Sequence, residues 1–369
     1  MIARVSEFCF VVHPTSLDDV ARFEPGAATK RPALVRKLLA WMPPHAIARV
    51  TGIRTPQGRE TSGWFVAVPL LPEQMLALPR EAVYDAIGAA VAIGADLGAQ
   101  VAGLGAFTGV VGDGGVTVAA RAPIPVTTGN SLTIAAGVRS LLRGAAAMEI
   151  DAREATLCIV GATGSIGAAC AELLAPHVAR IVLVARNRTR LERLRATLEP
   201  RVACELRVAA DVRDGVRDAR LVLTATSSTM DLIEPADLRA GAVVCELSLP
   251  HDVGRRVARE RPDVLVTEGG NLHVPGALRA ERLRGGGAFD FGLPAGEALA
   301  CMAETMLLAL DERHESYSLG RGIDLANVRA MDERATQAGF ALAGMRAFDR
   351  AVTPETIAAV RQAASAAAW

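Results

Sequence analysis

The sequence is poor in lysine and in aromatic side chains. Of 369 residues, only Lys30 and Lys37 are lysines, and Phe, Trp and Tyr together make up 4%. Acidic and basic residues number 40 each, so the formal net charge is zero. This balance gives no overall field that would recruit nucleic acid or an anionic membrane, although local arginine clusters could still dock an acidic partner. Because aromatic rings are scarce, small aliphatic side chains must fill most of the core.

Export signals and long uninterrupted apolar runs are also missing. The opening stretch MIARVSEFCFVVHP is too short and too interrupted for a signal peptide. The most apolar long stretch, residues 89–111, contains Asp96, Gln100 and several glycines, which argues against a membrane span. The six cysteines follow neither a pairing pattern nor a metal-binding motif, which is typical of reduced thiols. We therefore expect a cytoplasmic protein without integral membrane segments, nucleic acid or a metal site.

The order of strands and helices predicts an α/β fold with more than one domain. Residues 1–130 alternate short strands and helices, including a strand that ends at His13 and a hairpin around PQGRE. Residues 151–290 follow a β-α-β rhythm, which predicts a doubly wound parallel sheet of the Rossmann type. Residues 131–150 are expected to form a linking helix, and residues 291–369 a C-terminal helical region.

Capping residues mark the starts of two helices. SLDDVARF opens with a serine that can cap a helix, and TPETIAAVRQAASAAAW has Thr353 as N-cap with Pro354 at the first helical position. The second of these stretches predicts a helix near the end of the sequence.

A glycine-rich loop lies between an apolar strand and a helix in LCIVGATGSIGAACAELL. Gly161 suits a tight turn, Gly164 a close approach of backbone to a diphosphate, and Gly167 close packing of helix on strand. Free N–H groups and the positive helix end would hold the phosphate charge. Of the residues between these glycines, Thr163, Ser165 and Ile166 are further candidates for cofactor binding. We predict a dinucleotide site here, the alternative being a tight turn that binds no nucleotide.

The end of the next strand distinguishes between the two nicotinamide cofactors. NAD-specific sites usually have an acidic residue there, which binds the ribose 2′-hydroxyl. In this sequence the strand runs into Arg186, Asn187, Arg188 and Thr189, which can bind a 2′-phosphate. A solvated basic helix start is the alternative, but basic residues at a helix N-terminus oppose the helix dipole unless an anion is present. The pattern favours NADPH.

Further polar and small residues follow the later strands, at the edge of the sheet where ligands bind. They are Thr226, Ser227, Ser248, Gly269 and Gly270. The glycine pair would let a nicotinamide lie flat against backbone, or it is a plain turn.

One cysteine differs from the others in its setting. Cys301 lies in FGLPAGEALACMAETMLLAL, for which we predict a helix over residues 296–310 that crosses back over the cofactor cleft. The residues alone favour a core position for its thiol. Glu297 and Glu304 are expected to pair with arginines. The other five cysteines are expected to be inert packing: Cys9, Cys158, Cys170, Cys204 and Cys245.

Several stretches together resemble one family. They are TTGNSLTIAAGVRSL, VGATGSIGAA, VARNRTRLERL, ACMAETMLLALDE and SYSLGRGIDLANVRAMDERATQAGF, in order over residues 8–345. The pattern resembles the aldehyde-forming long-chain acyl-[acyl-carrier-protein] reductases of cyanobacterial type. The resemblance implies NADPH-dependent reduction of an acyl thioester to an aldehyde, with Cys301 taking the acyl group first. It also implies an acyl-carrier protein or acyl-CoA as substrate and an aldehyde-consuming enzyme as a further partner.

The implied chemistry points to further candidates. Thr128, Asn130 and Ser131 could donate to a developing oxyanion, or they could cap the linking helix. His13 could move a proton to or from the thiol, or it could be structural. Two stretches depart from the family pattern, namely residues 245–256, where a Gly-rich, lysine-containing segment is expected, and residues 345–369.

Two other functions remain open from the sequence. One is an NADP oxidoreductase of the shikimate-dehydrogenase or glutamyl-tRNA-reductase type. A shikimate-type site needs a Lys/Asp pair, and neither Lys30 nor Lys37 lies in a matching motif. The other is a non-enzymatic NADPH-binding protein, since sensors also use Rossmann folds.

Overall fold

The chain folds into two compact units. The computed structural model describes residues 6–367. The first unit comprises residues up to 132 together with residues 272–341, and the second comprises residues 133–271 together with the stretch from 342 onward. Helix α6 (Asn130–Ala147) carries the chain from the first unit into the second. Within residues 6–367, no helix is both long and apolar enough to span a bilayer.

The first unit contains a six-stranded mixed sheet. Its strands, in the order β13-β2-β3-β1-β4-β5, are β1 (Glu7–Val12), β2 (His45–Arg54), β3 (Glu60–Ala67), β4 (Val101–Leu104), β5 (Val126–Thr127) and β13 (Gly276–Arg282). Strands β13, β2 and β3 pair antiparallel, which confirms the expected hairpin, whereas β1 pairs parallel with both β3 and β4. Short strand β14 (Glu297–Leu299) also belongs to this unit, and β12 (Asn271–His273) and β15 (Ala341–Leu342) lie where the chain passes between units.

Helices cover the sheet of the first unit. They are α1 (Leu17–Phe23), α2 (Pro32–Trp41), α3 (Pro72–Ala77), α4 (Arg80–Asp96), α5 (Val116–Arg121), α11 (Ala300–Leu310) and α12 (Leu325–Gln337). The Ser16 side chain accepts from the Asp19 N–H, which confirms the predicted cap of α1. Helix α4 packs on β1 and β3, and its buried residues Val83, Ile87 and Val91 recur at helical spacing.

The second unit contains a six-stranded parallel sheet in the order β11-β10-β9-β6-β7-β8. The strands are β6 (Thr156–Val160), β7 (Arg180–Val184), β8 (Glu205–Ala209), β9 (Leu221–Thr224), β10 (Val243–Glu246) and β11 (Leu265–Glu268). The parallel pairing and the strand order confirm the doubly wound fold predicted from the β-α-β rhythm of this region. The sheet order reverses between β6 and β9, where ligands bind in this fold.

Helices and a small hairpin complete the second unit. They are α7 (Ser165–Leu174), α8 (Arg188–Leu198), α9 (Val212–Val216), α10 (Arg255–Glu260), β16 (Arg346–Ala347), β17 (Arg350–Ala351) and α13 (Pro354–Ala367). Thr353 accepts from the Thr356 N–H at 3.3 Å and so caps α13 as expected, while Trp369 lies outside the described residues.

The C-terminal third differs from the region expected from the sequence. Residues 272–290 fold with the first unit, since β13 pairs with β2. Residues 291–341 also fold with the first unit, whereas the stretch after 342 folds with the second. Helix α11 starts at Ala300 and packs on β1, β3 and β4. A helix that is apolar on all sides must be covered on all sides, which explains its place on a sheet.

Candidate functional site

The glycine loop of the second unit begins where β6 ends. Gly161 has a φ of +86°, and a Cβ there would collide with the carbonyl oxygen of Ala225. A Cβ on Gly167 would stand 2.9 Å from the Cα of Ala162, so only glycine lets α7 pack this closely. A Cβ on Gly164 would stand 3.2 Å from the carbonyl oxygen of Gly161, which is tight but not prohibitive. Packing within the protein therefore requires glycine at positions 161 and 167. It does not require glycine at position 164, where the absence of a side chain would allow a ligand to approach the backbone closely.

The start of α7 offers its N–H groups to an anion. Gly164 is exposed, occupies the N-cap position and has no side chain with which to cap the helix. Thr163, Ser165 and Ile166 flank it and are half-buried. An uncapped helix N-terminus beside a glycine turn at the switch point fits a dinucleotide diphosphate.

The basic residues after β7 lie at an exposed helix start. Arg186 and Arg188 are exposed, and α8 begins at Arg188. The Asn187 side-chain oxygen accepts from the Arg190 N–H at 3.0 Å, so Asn187 caps α8. The two guanidinium groups are thereby held at the start of a helix, where a phosphate would offset their conflict with the dipole.

A buried acid that the sequence did not single out ties together the ends of β9 and β10. Asp252 is fully buried and accepts from the Thr226 hydroxyl at 2.5 Å and from the Ser248 hydroxyl. Ser248 in turn accepts from the Thr226 N–H at 2.8 Å. Burial raises the pKa of Asp252. Thr226 and Ser248 are thus fixed by this carboxyl group, whereas the predicted Ser227 is exposed.

A second buried acid supports the same segment. Glu246 accepts from the N–H groups of Asp252 and Val253, both at 2.9 Å, and its carboxylate lies 3.3 Å from Nδ1 of His251. These residues belong to the stretch that departs from the family pattern. The sequence feature that could have indicated Glu246 and Asp252 is the presence of acidic residues at the end of an apolar strand and just after it.

The glycine pair after β11 is explained by packing. A Cβ on Gly269 would stand 2.6 Å from the Sγ of Cys245 and 2.6 Å from a methyl of Leu247. Gly270 has a φ of +97°. These contacts favour the plain turn over a surface for a nicotinamide.

Cys301 of the first unit is less buried than most of the cysteines. Cys9, Cys158, Cys170 and Cys245 are buried, whereas Cys204 and Cys301 are partly exposed. Helix α11 begins later than expected because residues 297–299 form β14, so Cys301 is the second residue of the helix. Burial nevertheless raises the pKa of its thiol to about 12, and the charge of Glu304 acts in the same direction. Backbone N–H groups of Met302, Cys301 and Ala106 act to lower that pKa.

The loop before α6 packs directly on Cys301. Gly129 has a φ of +72°, and a Cβ there would collide with the Cα and Cβ of Cys301. Only glycine fits both the conformation and this approach. The TTGNS stretch and the cysteine helix, which are far apart in sequence, thereby meet.

Glu304 does not pair with an arginine as expected. It is fully buried and accepts from the Thr127 hydroxyl at 2.5 Å, the Ser318 hydroxyl at 2.8 Å and the Leu132 N–H at 2.9 Å. Burial raises the pKa of its carboxyl group. Leu132 lies in the first turn of α6, where backbone N–H groups have no partner within the helix. The Glu304 carboxylate therefore supplies a hydrogen-bond acceptor to one of these N–H groups. For Glu297, the nearest basic side chain described is that of His273, whose Nδ1 lies 4.0 Å from the carboxylate.

The hydroxyls proposed as oxyanion donors have other partners. Thr128 donates to the Ser318 carbonyl at 2.5 Å. The Ser131 hydroxyl accepts from Ser318 Oγ at 2.7 Å, and the Ser131 N–H donates to the same oxygen at 3.1 Å. These contacts favour the alternative that Thr128 and Ser131 stabilise the start of α6. Asn130, which follows Gly129 and is buried, keeps its predicted role as a prediction.

His13 is held by backbone groups at both ring nitrogens. Nδ1 lies 3.0 Å from the Pro14 carbonyl, and Nε2 accepts from the Phe107 N–H at 2.9 Å. Burial lowers the pKa of His13 to about 4, so the ring is neutral at neutral pH. Its role as a proton carrier stays a prediction, and these hydrogen bonds argue for the structural role.

The fold and the glycine loop define an α/β protein with a Rossmann-type domain, as found in NAD(P)-dependent oxidoreductases of the shikimate-dehydrogenase type. Residues 144–267 match the model of the Shikimate / quinate 5-dehydrogenase family. The chain is 31% identical over 346 residues to "Aminotransferase PigE" of Serratia sp., covering 90% of this chain but only 39% of that protein. It is 27% identical over 308 residues to the "Long-chain acyl-[acyl-carrier-protein] reductase" of Synechococcus elongatus, covering 81% of this chain and 87% of that protein.

One alignment with a solved structure spans most of the chain. The quinate dehydrogenase from Corynebacterium glutamicum in complex with NAD aligns with a TM-score of 0.37 at 14% identity, over 90% of this chain and 99% of that chain. A likeness of this degree does not bear on the substrate.

Proposed function

We propose that this protein reduces an acyl thioester to an aldehyde with NADPH, through an acyl group carried by Cys301. The observation that carries the proposal is the setting of Cys301, a half-buried residue in the first turn of a helix, packed against the glycine of the TTGNS loop. The similarity to the acyl-carrier-protein reductase of Synechococcus elongatus, which covers 81% of this chain, supports the same reaction.

The first half of the proposed reaction is acyl transfer. Sγ of Cys301 forms a bond to the acyl carbonyl carbon, the carbon–sulfur bond to the carrier breaks, and the thiol proton of Cys301 passes to the departing carrier thiol. Burial keeps the resting thiol protonated, because its pKa is raised to about 12. The N–H groups of Ala106 and Met302, which act to lower that pKa, would stabilise negative charge on the sulfur during the transfer.

The second half returns the thiol. When bound, NADPH supplies the hydride that brings the acyl carbonyl carbon to the aldehyde level. The bond between that carbon and Cys301 Sγ then breaks, the aldehyde leaves, and the sulfur takes a proton from solvent. Gly161, Gly164 and the start of α7 would hold the diphosphate, and Arg186 and Arg188 the 2′-phosphate.

Intact-mass measurement after mixing with acyl-carrier protein or acyl-CoA, without NADPH, tests the acyl transfer. We expect a mass increment of one acyl group that disappears in Cys301→Ser. Cys204→Ser is the matched control, because Cys204 is the other cysteine residue that is not fully buried, and this variant should keep the adduct. No adduct with any chain length, or an adduct that persists in Cys301→Ser, would refute the proposal.

The aminotransferase activity named for the Serratia relative does not transfer to this chain. Pyridoxal-phosphate aminotransferases need a lysine in the active site to hold the cofactor. Lys30 and Lys37 are both exposed on the first unit, and the chain has no other lysine. The relative combines a region like this chain with more than half its length of other sequence. Such a combination favours an amine-forming enzyme as the aldehyde-consuming partner.

The match to the shikimate and quinate dehydrogenase model favours a second candidate, an NADP-dependent alcohol dehydrogenase without a covalent intermediate. The matched residues lie in the Rossmann stretch, which both candidates share. Cys301→Ser separates the two, because a dehydrogenase of this kind would keep its activity and the proposed reductase would not.

A further inference from the structure

Large apolar side chains protrude from α2 and from the segment of α3 in the first unit. Trp41 is 71% exposed, Leu76 is 60% exposed, and Leu34 and Leu38 are nearly half exposed. The full set, which we call the α2–α3 face, is Leu34, Leu38, Trp41, Met42, Leu76 and Leu78. Among residues 6–367, most of the well-exposed large apolar side chains lie in this set. A monomer rarely leaves so large an apolar patch without a use.

The two helices belong to one surface. The Arg36 guanidinium lies 3.3 Å from the Glu73 carboxylate, and the Gln74 side chain donates to the Arg36 carbonyl at 2.9 Å. These contacts join α2 to α3. The exposed leucines therefore lie on neighbouring helices of the same face.

Helix α2 is apolar on two sides. Val35 and Leu39 point inward and pack with Val20 and Leu71. That inward stripe is sufficient to hold a surface helix on its unit. Leu34 and Leu38 are therefore not explained by the core of the unit.

The charged side chains of the α2 segment itself are all basic, and Glu73 of α3 is the acid that pairs with Arg36. Residues 25–59 contain no acidic residue, and the chain's two lysines, Lys30 and Lys37, lie here with Arg31, all three exposed. The Lys37 ammonium lies 4.9 Å from the centroid of the Trp41 ring. A tryptophan among leucines, with basic side chains beside it, is the composition of helices that lie in a membrane interface.

We propose that the α2–α3 face docks on an anionic lipid bilayer. Charge complementarity selects a negatively charged partner surface. Protruding apolar side chains can enter a fluid lipid headgroup layer, which needs no preformed pocket to accommodate them. Trp41, Leu38 and Leu34 enter the boundary between headgroups and acyl chains, while Lys30 and Lys37 contact anionic headgroups. The zero net charge does not oppose this, since only charge within a Debye length of the surface counts. The proposal is independent of the proposed reductase activity.

Vesicle sedimentation of the full chain tests the docking. We expect binding to phosphatidylcholine vesicles that contain about one quarter phosphatidylglycerol, and at least about fivefold weaker binding to pure phosphatidylcholine. Trp41→Ala/Leu38→Ser and Lys30→Glu/Lys37→Glu should each weaken binding by about tenfold. The substituted side chains are exposed, so far-UV circular dichroism and thermal melting should match those of the parent protein.

Matched controls are available on the second unit. Met230→Ala removes a side chain that is 70% exposed, and Arg217→Glu/Arg259→Glu reverses two exposed charges; neither should change vesicle binding. Absence of binding, or binding that the α2 variants leave unchanged, overturns the proposal. Two further outcomes would overturn the proposal if vesicles show no binding. One is saturable binding to an acyl-carrier protein that the α2 variants abolish. The other is self-association in analytical ultracentrifugation that the same variants abolish.

Discussion

The glycine loop of the second unit and the cysteine helix of the first are both proposed to act in one reaction, yet they are built differently. The loop is local, because Gly161 and Gly167 are required by contacts with their near neighbours and with one adjacent strand. The cysteine site is assembled from distant stretches, with Gly129 against Cys301 and Glu304 bonded to Thr127 and Ser318. A local motif is readable from spacing, whereas an assembled site depends on contacts that spacing does not reveal.

The largest expected effect separates Cys301 from Cys204, the two cysteine residues that are not fully buried. Cys301→Ser should lower aldehyde formation by about 10³-fold or more, because no sulfur remains to carry the acyl group. Fluorescence titration should show unchanged NADPH binding, since the glycine loop is untouched. Cys204→Ser is the control, and an equal loss in that variant would remove the special status of Cys301.

The next effect separates two glycines of one loop. Gly161→Ala should cost about 3 kcal/mol in the free energy of unfolding, because a positive φ and a collision with Ala225 both oppose it. Gly164→Ala should cost under about 1 kcal/mol but weaken NADPH binding by about tenfold or more. Urea unfolding and cofactor titration measure the two quantities. If Gly164→Ala left cofactor affinity intact, the diphosphate would not lie on this loop.

His13 gives the first unit a dependence on pH. Its pKa is lowered from the usual 6.5 to about 4, so between these values the unfolded chain takes up a proton and the folded chain does not. Stability that is present above about pH 6.5 is therefore lost as the pH falls towards 4. Between pH 7 and pH 5 the loss attributable to His13 should be about 2 kcal/mol. The difference in urea unfolding between the parent and His13→Gln at both pH values measures it, and equal losses in both proteins would contradict it.

The smallest effect concerns the carboxylate one turn from the thiol. Glu304 raises the pKa of Cys301, so Glu304→Gln should lower that pKa and speed alkylation of Cys301 by iodoacetamide a few-fold at pH 8. The rate is followed across pH by mass spectrometry. Glu297→Gln, which alters the other acid of the same stretch, should leave the rate unchanged. An unchanged rate in Glu304→Gln would show that its charge does not reach the sulfur.

Much of the fold could be predicted because its signals are local. The β-α-β rhythm of the second unit, the cap at Ser16 and the cap at Thr353 each depend on residues close in sequence. The position of α11 could not be predicted in this way. Its Gly/Pro-rich approach fits a helix start at 296, but residues 297–299 form a strand and the helix lies on the sheet of the first unit.

For the candidate site, the sequence indicated residues whose roles stay predictions. Gly161 and Gly167 make the close contacts expected of a tight turn and of helix–strand packing, and the role of Cys301 as nucleophile is a proposal. Glu304 was expected to pair with an arginine, because helical spacing does not reveal the hydroxyl groups of Thr127 and Ser318 that reach it from elsewhere in the chain. Asp252 was missed because its partner Thr226 follows the neighbouring strand, although its other partner, Ser248, is only four residues away in sequence.

The scarcity of lysine has a practical consequence. Side-chain amines occur at two positions, both on or beside one exposed helix, and one of them stands over an indole ring. A succinimidyl dye would therefore decorate the α2 neighbourhood and leave the dinucleotide fold of the second unit unmarked. Quenching of that indole would report directly on whatever settles against the helix.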